Sequence, residues 1–164
     1  MAAWEFQMLQ NIAAKHGWHR FISMQNYHNL IYREEEREMI PYCKATGVGL
    51  APWSPIARGA LARPFNDRAR SHRERTDPLV NKRARSSNAD EEIINRVEQL
   101  AQKYGVSMAY ISTAWCIFRG DCPVIGLNSE SRMDEMVKNL SFRLSAEDAR
   151  YLEEPYVPKH IIGY

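Results

Sequence analysis

Residues 48–59, VGLAPWSPIARG, decide the fold that we expect for this chain of 164 residues. The stretch opens with an apolar run that ends in a proline and Trp53. This is typical of the end of a short buried strand, because proline is poorly tolerated inside a sheet. Trp53 offers a flat face to a planar ring. Ser54, Arg58 and Gly59 then supply a hydroxyl, a cation and a close backbone approach, which together suit a pyrophosphate.

Two further apolar runs, residues 21–25 and 123–127, predict two more short strands. Helical patterns alternate with these strands, at residues 2–17 and 33–44, from 88 and from 107, at 129–139, and from 145. Apolar strands separated by helices predict a parallel sheet of βα units. Three strands are too few for a closed (β/α)₈ barrel, which needs eight strands and about 250 residues. The chain therefore resembles part of a larger α/β unit.

Capping patterns predict where several helices begin. Asn88 with Glu91, and Ser145 with Asp148, match capping boxes, and Ser107 can cap the helix that follows it. The acidic residues 34–36 are expected in the first turn of their helix, where the macrodipole favours anions.

Apolar spacing predicts the faces of the first helix and of the helix at 129–139. In the first helix the stripe comprises Trp4, Met8, Ile12 and Ala13, with Phe6 and Leu9 beside it. In the later helix the predicted inner face comprises Met133, Met136, Val137 and Leu140.

Functional residues of parallel α/β folds gather at the carboxyl ends of the strands. After the first strand, Gln25 and Asn26 can offer amides to an amide-bearing ligand. After the third strand, the free amides of a helix N-terminus favour an anion, and Arg132 can pair with a phosphate one turn further on.

Each of these stretches also has a structural interpretation. Trp53 can pack against the end of the sheet as a structural residue while Arg58 begins a solvent-exposed loop. Arg132 can be a surface arginine on an ordinary helix. Gln25 and Asn26 can bind the backbone of their own loop. The residue types alone leave these alternatives open.

His28 follows the first strand and is the tempting acid or base. No carboxylate or nucleophile is tied to it by a recognisable spacing, so we predict a structural role. Cys43 and Cys116 lie within helical patterns and are predicted to be small core residues.

Composition excludes several classes of protein. The chain is 45% hydrophobic and 26% charged, which is ordinary for a globular domain and unlike a disordered chain or a fibre. No run reaches the roughly 20 apolar residues of a membrane span, and no secretory signal is visible. The three cysteines show no CxxC spacing, so neither a disulfide framework nor a zinc site is predicted. We expect a cytoplasmic protein with no membrane segment.

Positive charge is concentrated in residues 58–88, which carry nine basic and three acidic residues although the whole chain has a net charge of only +2. The segment shows no periodicity and is predicted to be a long loop. It could bind nucleic acid, but Phe65 is its only aromatic residue, so base stacking is not favoured.

Taken in order, these motifs resemble the C-terminal half of the aldo-keto reductases. The resemblance rests on QNYHNL at residues 25–30 with Arg33, on GVGLAPWSPIARG at 47–59, on PVIG at 123–126 leading to Ser131 and Arg132, and on LSAED at 144–148. It is strongest for the branch that contains fungal aryl-alcohol dehydrogenases and norsolorinic acid reductases. It implies that residues 1–164 form a single partial (β/α)₈ TIM barrel, roughly the last three βα units and a C-terminal helix.

The resemblance also implies a cofactor, NADP(H), and the residues that hold it. Gln25 would contact the nicotinamide carboxamide and Trp53 would stack on the nicotinamide. Ser54, Ile56 and Arg58 would line the pyrophosphate, Arg132 would meet the 2′-phosphate, and Glu135 would lie beside the adenine. The family often has Asn after that Glu, whereas this chain has Met136.

The aspartate, tyrosine, lysine and histidine that carry catalysis in the family have no matching positions here. We therefore expect a truncated oxidoreductase that retains mainly the cofactor-binding half, with a small carbonyl or aryl-alcohol substrate. The alternative is a non-catalytic nucleotide-binding or interaction module derived from that family. Missing strands leave open barrel edges that favour self-association.

Overall fold

The computed structural model describes residues 1–67 and 87–161. Its regular sheet consists of β1 (Ser23–Met24) and β2 (Gly49–Leu50), which run parallel. Ser23 pairs with Gly49 and Met24 with Leu50. The α/β class and the parallel direction are thus confirmed, although both strands are shorter than predicted.

The third predicted strand is wrong as a regular element. In residues 123–127 the structure shows a single parallel bridge, between Val124 and Trp53. Pro123 has no backbone N–H to donate, which weakens the ladder at this point.

Six α-helices lie in the described residues: α1 (Ala3–Lys15), α2 (Met39–Thr46), α3 (Asn88–Tyr104), α4 (Met108–Phe118), α5 (Glu130–Asn139) and α6 (Ala146–Glu153). Short 3₁₀ helices cover Glu34–Glu36 and Ala57–Ala62. Among the helices of residues 1–67 and 87–161, none has the length and apolar character needed to cross a membrane.

The apolar core has two parts. The larger part is formed where α3, α4 and α6 pack together, and includes Ile93, Ile111, Trp115 and Leu152. The smaller part lies against β2 and is formed by Phe6, Met39, Ile40, Cys43, Val48 and Leu50. Cys43 and Cys116 are fully buried, which confirms their predicted place in the core.

The acidic residues 34–36 do not begin an α-helix, so that prediction is wrong. They form a 3₁₀ turn, and α2 begins only at Met39. Glu34 and Glu35 are buried. The Glu34 carboxylate accepts hydrogen bonds from the Tyr156 hydroxyl and the Lys159 amide. Tertiary partners, rather than a helix dipole, therefore stabilise this charge.

The apolar faces of two helices were predicted incorrectly. In α1 the structure buries Phe6, Gln10 and Ala13, while the predicted stripe of Trp4, Met8 and Ile12 is exposed. In α5 only Met136 of the predicted inner face is buried. Apolar spacing identified both helices but not the side on which each one packs.

Residues 58–88 are not one long loop. The 3₁₀ helix Ala57–Ala62 opens the segment, and its Ala60 and Leu61 are buried in the larger core. Residues 68–86, which carry most of the positive charge, lie outside the described residues.

Serine capping was predicted well, with one shift of position. Ser107 and Ser145 accept hydrogen bonds from the backbone amides of Tyr110 and Asp148. The cap of α3 is Ser87, whose hydroxyl accepts from the Asp90 amide, so the predicted cap Asn88 is wrong by one residue.

We expect Ser107→Ala to lower the free energy of unfolding by about 1 kcal/mol, because the Tyr110 amide loses its partner. Ser129→Ala is the matched control, since Ser129 is the N-cap residue of α5 but its hydroxyl accepts no capping hydrogen bond from a backbone amide of that helix. Urea denaturation measures both variants. Equal losses in the two variants would contradict the assignment of the cap.

Candidate functional site

Three chain segments lie side by side at the carboxyl ends of the strands. The Trp53 amide donates to the Asn26 carbonyl at 2.9 Å, and the Val124 amide donates to the Pro52 carbonyl at 2.8 Å. Parallel bridges join Tyr27 to Trp53 and Trp53 to Val124. The backbone therefore brings together the three strand ends that the sequence singled out.

Trp53 lies at the centre of this arrangement. Its indole stacks on the Tyr27 ring, with centroids 4.4 Å apart and planes inclined by 26°. Tyr27 packs in turn against Tyr32, at 4.8 Å between ring centroids. Tyr27 is buried, whereas Trp53 is only partly buried. One face of the indole is thus supported from within the protein.

The turn after Trp53 has an unusual backbone. Ser54, Ala57 and Arg58 all have positive φ angles, of 55°, 48° and 58°, and Gly59 has φ 105°. Left-handed conformations are strained for residues with a Cβ atom, and such strain concentrates at functional sites. The segment predicted to line a pyrophosphate therefore contains a strained turn.

The other predicted residues lie on different elements of the structure. Gln25 is exposed directly after β1, and Ile56 is partly buried at the start of the 3₁₀ helix. Arg132 is exposed in the first turn of α5, where its guanidinium donates to the Asn128 side-chain oxygen at 2.7 Å. Glu135 is partly buried near Tyr110, whose pKa is raised by burial and by the negative charge of Glu135.

The amide side chains after β1 behave differently from one another. Asn29 binds its own loop, because its side-chain oxygen accepts from the amides of Ile31 and Tyr32. Asn26 is buried, and neither the nitrogen nor the oxygen of its side-chain amide has a hydrogen-bond partner within residues 1–67 and 87–161. The side chain that binds the backbone of its own loop is therefore that of Asn29, not that of Asn26.

His28 has the structural role that the sequence predicted, and it is the centre of a buried ionic cluster. Its Nδ1 lies 2.8 Å from the Asp121 carboxylate and its Nε2 lies 2.9 Å from the Glu36 carboxylate. The ring is only 1% exposed. Because both carboxylates face it, the imidazolium form can donate one hydrogen bond to each.

Two arginines complete this cluster. Arg33 donates to both oxygens of the Glu36 carboxylate, at 2.8 Å each, and Arg119 lies 3.2 Å from the same group. Glu153 lies within 4 Å of both arginines and accepts a hydrogen bond from the Trp115 indole. The cluster joins the loop after β1 to the ends of α4 and α6.

The pKa values reflect these contacts. Burial by itself would lower the pKa of His28, but the hydrogen bonds and charges of Asp121 and Glu36 outweigh burial and raise it. Burial would raise the pKa of Glu36, but hydrogen bonds from His28 and Arg33 outweigh burial and hold it at about 2. These contacts favour the imidazolium form of His28, and because both ring nitrogens face carboxylates, His28 is not a free acid or base.

A cavity of about 290 Å³ borders this cluster and is lined by Arg33, Glu34, Glu36, Arg37, Glu153, Tyr156 and Pro158. None of the predicted cofactor residues lines it. Its lining carries two arginines and three carboxylates, so the cavity does not have the positive charge of an anion site.

Sequence reasoning missed the two partners of His28. Asp121 is 93 residues away from His28, and Glu36 was assigned to a helix start. No local pattern signals such pairs. In the described residues no group of three or more His, Cys, Asp or Glu side chains could hold a metal ion.

Comparison with known proteins identifies the family to which this chain belongs. A family model described as "Aldo/keto reductase family" matches residues 2–156. The chain belongs to the aldo/keto reductase family, whose members fold as (β/α)₈ barrels. Its short parallel sheet and surrounding helices are consistent with part of such a barrel.

Particular relatives are similar over almost the whole chain. Versiconal hemiacetal acetate reductase of Aspergillus parasiticus is 58% identical over 98% of this chain, which covers 48% of that protein. A putative aryl-alcohol dehydrogenase of Schizosaccharomyces pombe is 51% identical over 99% of this chain, which covers 50% of that protein. The chain thus spans about half the length of these curated relatives. They confirm the resemblance to the aldo-keto reductases.

We expect the stability of the chain to decrease as the pH rises above 6.5. The raised pKa of His28 stabilises the fold fully below the unfolded value of 6.5, and this contribution is lost as the pH passes through the folded value. Each unit of the raised pKa corresponds to about 1.4 kcal/mol. Urea denaturation at a series of pH values measures the loss.

His28→Gln should flatten this pH profile, while His19→Gln, at an exposed position, should leave it unchanged. Glu36 acts in the opposite range: its contribution is present above pH 4.5 and is lost as the pH falls toward 2. A wild-type profile that is level between pH 6 and 9 would rule out the charged His28.

We expect Ser54→Gly to be more stable than Ser54→Ala by about 1 kcal/mol. Both substitutions remove the hydroxyl, but only glycine removes the strain of a positive φ. Thermal unfolding compares the two variants directly. If alanine proved as stable as glycine, the turn would not be strained.

Proposed function

We propose that this chain is the cofactor-binding half of an NADP(H)-dependent oxidoreductase of the aldo-keto reductase type. The observation that carries the proposal is the alignment of three strand ends around Trp53, followed at once by the strained turn 54–59. The similarity to a putative aryl-alcohol dehydrogenase favours an aryl alcohol, or the corresponding carbonyl compound, as the substrate class.

The residues at this edge fit a nicotinamide dinucleotide. Tyr27 supports one face of Trp53, so the indole is oriented to stack on a planar ring with its other face. Gln25 is exposed beside it and can hydrogen-bond a carboxamide. The bound nicotinamide would supply hydride transfer, and these residues would orient it.

The phosphates would be held further along the same edge. Ser54, Ile56 and Arg58 lie in the strained turn, where backbone and side chains can approach a pyrophosphate. Arg132 is exposed in the first turn of α5 and can reach a 2′-phosphate, and Glu135 follows it on the same helix. An arginine that binds the 2′-phosphate favours NADP(H) over NAD(H).

Within residues 1–67 and 87–161 we find no proton donor placed for the reduction of a carbonyl. The family's four catalytic residues have no matching positions, and the two nearby candidates are engaged elsewhere. Tyr27 is buried against Trp53 and Tyr32, and His28 is held between Asp121 and Glu36. We therefore propose that residues 1–164 act as one domain and that this domain taken alone has little or no turnover.

A second candidate function is a non-catalytic nucleotide-binding or interaction module. The lack of positions for the catalytic residues favours it. Nucleic-acid binding by residues 58–88 is less favoured, because Phe65 is the only aromatic residue of that segment and base stacking is therefore not supported. We also propose a cytoplasmic location, because the three cysteines are free, as a reducing compartment would keep them.

We expect NADPH to quench the tryptophan fluorescence of the chain and Arg132→Ala to weaken NADPH binding by about tenfold, because a charged hydrogen bond contributes about 1.5–3 kcal/mol. Binding of NADH should change little. Arg150→Ala, which removes an exposed arginine from α6, is the matched control. Fluorescence titration measures all of these affinities.

Trp53→Phe should remove most of the quenching, whereas Trp18→Phe should retain it, since Trp18 is an exposed residue stacked on His16. No quenching by millimolar NADPH would count against cofactor binding. Rapid NADPH-dependent reduction of an aromatic aldehyde by residues 1–164 alone would instead contradict the proposed lack of turnover.

A further inference from the structure

The strained turn after Trp53 is held from the neighbouring strand end. The side-chain nitrogen of Asn29 donates a hydrogen bond to the Ser54 carbonyl at 3.2 Å, and Asn29 is fully buried. Ser54 is the first residue of this turn with a positive φ. Because Asn29 and Ser54 are 25 residues apart, the contact joins two separate loops.

The rest of Asn29 is anchored within its own loop. Its side-chain oxygen accepts hydrogen bonds from the Ile31 and Tyr32 amides, at 3.1 Å each. Its backbone amide and carbonyl pair with those of Tyr32, at 3.1 and 3.0 Å. The amide group is thus fixed at its oxygen, and its nitrogen is held in place to meet Ser54.

The Ser54 carbonyl also accepts the hydrogen bond that begins the turn. It accepts from the Ala57 amide at 2.9 Å, and the Ile56 carbonyl then accepts from the Gly59 amide at 2.9 Å. The turn is therefore built on the direction of the Ser54 carbonyl, and Asn29 holds that direction from outside the turn. Strained backbone persists only where the surrounding structure over-determines it, which is what this second hydrogen bond does.

The loop that contains Asn29 contacts two consecutive residues of the proposed cofactor-binding edge. Its Tyr27 ring lies against the Trp53 indole, and its Asn29 side chain binds the next residue, Ser54. One short loop thus supports both the aromatic part and the polar part of this edge, through separate contacts.

From these contacts we infer that Asn29 is a positioning residue for binding of the dinucleotide's pyrophosphate. It keeps Ser54 in the left-handed conformation and so preforms the turn at residues 54–59. The inference rests on the proposed function and adds to it a residue that acts through Ser54. A preformed turn needs no ordering when the ligand binds, so less of the binding free energy is lost.

Two substitutions separate this contact from the other contacts of Asn29. Asn29→Asp keeps an oxygen that can accept from the Ile31 and Tyr32 amides, but it replaces the donor with a second oxygen, which repels the Ser54 carbonyl. Asn29→Ser also keeps a local acceptor, and its side chain is too short to reach Ser54. Circular dichroism checks the folding of each variant, and if one fails to fold the other still provides the test.

Titration calorimetry on the full chain compares two ligands, NADPH and adenosine 2′-monophosphate, which has the 2′-phosphate but no pyrophosphate. We expect each Asn29 variant to weaken NADPH binding by about tenfold, because a turn that is competent about one tenth of the time lowers the apparent affinity by that factor. Binding of the monophosphate, which is proposed to depend on Arg132 in α5, should stay unchanged. A general loss of structure would weaken both ligands.

Ser107→Ala is the matched control, because it removes a side-chain hydrogen bond to the backbone at the start of α4 and leaves the contact of Asn29 with Ser54 intact. It should not change NADPH binding. A second-site variant tests the mechanism. When Asn29→Asp is added to Ser54→Gly, the NADPH affinity should fall by less than about twofold, because glycine adopts a positive φ without support.

NADPH binding that both Asn29 variants leave at the wild-type level would overturn the inference while the proposed function stands. Equal losses for NADPH and adenosine 2′-monophosphate would also overturn it, and so would an undiminished effect of Asn29→Asp in the Ser54→Gly background. If the unsubstituted chain bound no NADPH, the proposed function would fail and the inference would fail with it.

Discussion

The parallel backbone hydrogen bonds between three distant segments are the constraint on which the rest of the structure depends. The Cys122 amide donates to Leu50 and the Val124 amide donates to Pro52, each at 2.8 Å, while the Trp53 amide donates to Asn26. These bonds set the register in which the strand ends meet. Without this register, Trp53 would not stack on Tyr27 and the turn after it would not face the same edge.

The ionic cluster around His28 fixes the loop beyond β1 to the helical layer. His28 is paired with Asp121 after α4 and with Glu36 in the 3₁₀ turn, and Arg33 and Arg119 hold Glu36 from the other side. Losing one member of such a cluster leaves buried charges without partners, which is strongly destabilising. The cluster therefore ties the loop that contains Tyr27 to the helical layer, next to the proposed binding edge.

Much of the fold was predictable, because local signals are strong for helices and caps. The serines at 107 and 145 cap their helices as the pattern indicates. The third strand was not predictable, since an apolar run does not reveal whether a neighbour completes its ladder. The side on which α1 packs was not predictable either: Gln10 is buried because its amide bonds both backbone groups of Phe21, while Trp4 is left outside.

The sequence by itself determined the family, the alternation of strands and helices, and the residue types at each strand end. These are local properties, which the spacing of apolar residues and short motifs indicate directly. Only the tertiary structure decided that Tyr27 supports Trp53, that His28 lies between two carboxylates, and that α1 and α5 leave apolar side chains exposed. Each of these depends on contacts between residues far apart in the chain, and such contacts have no local signature.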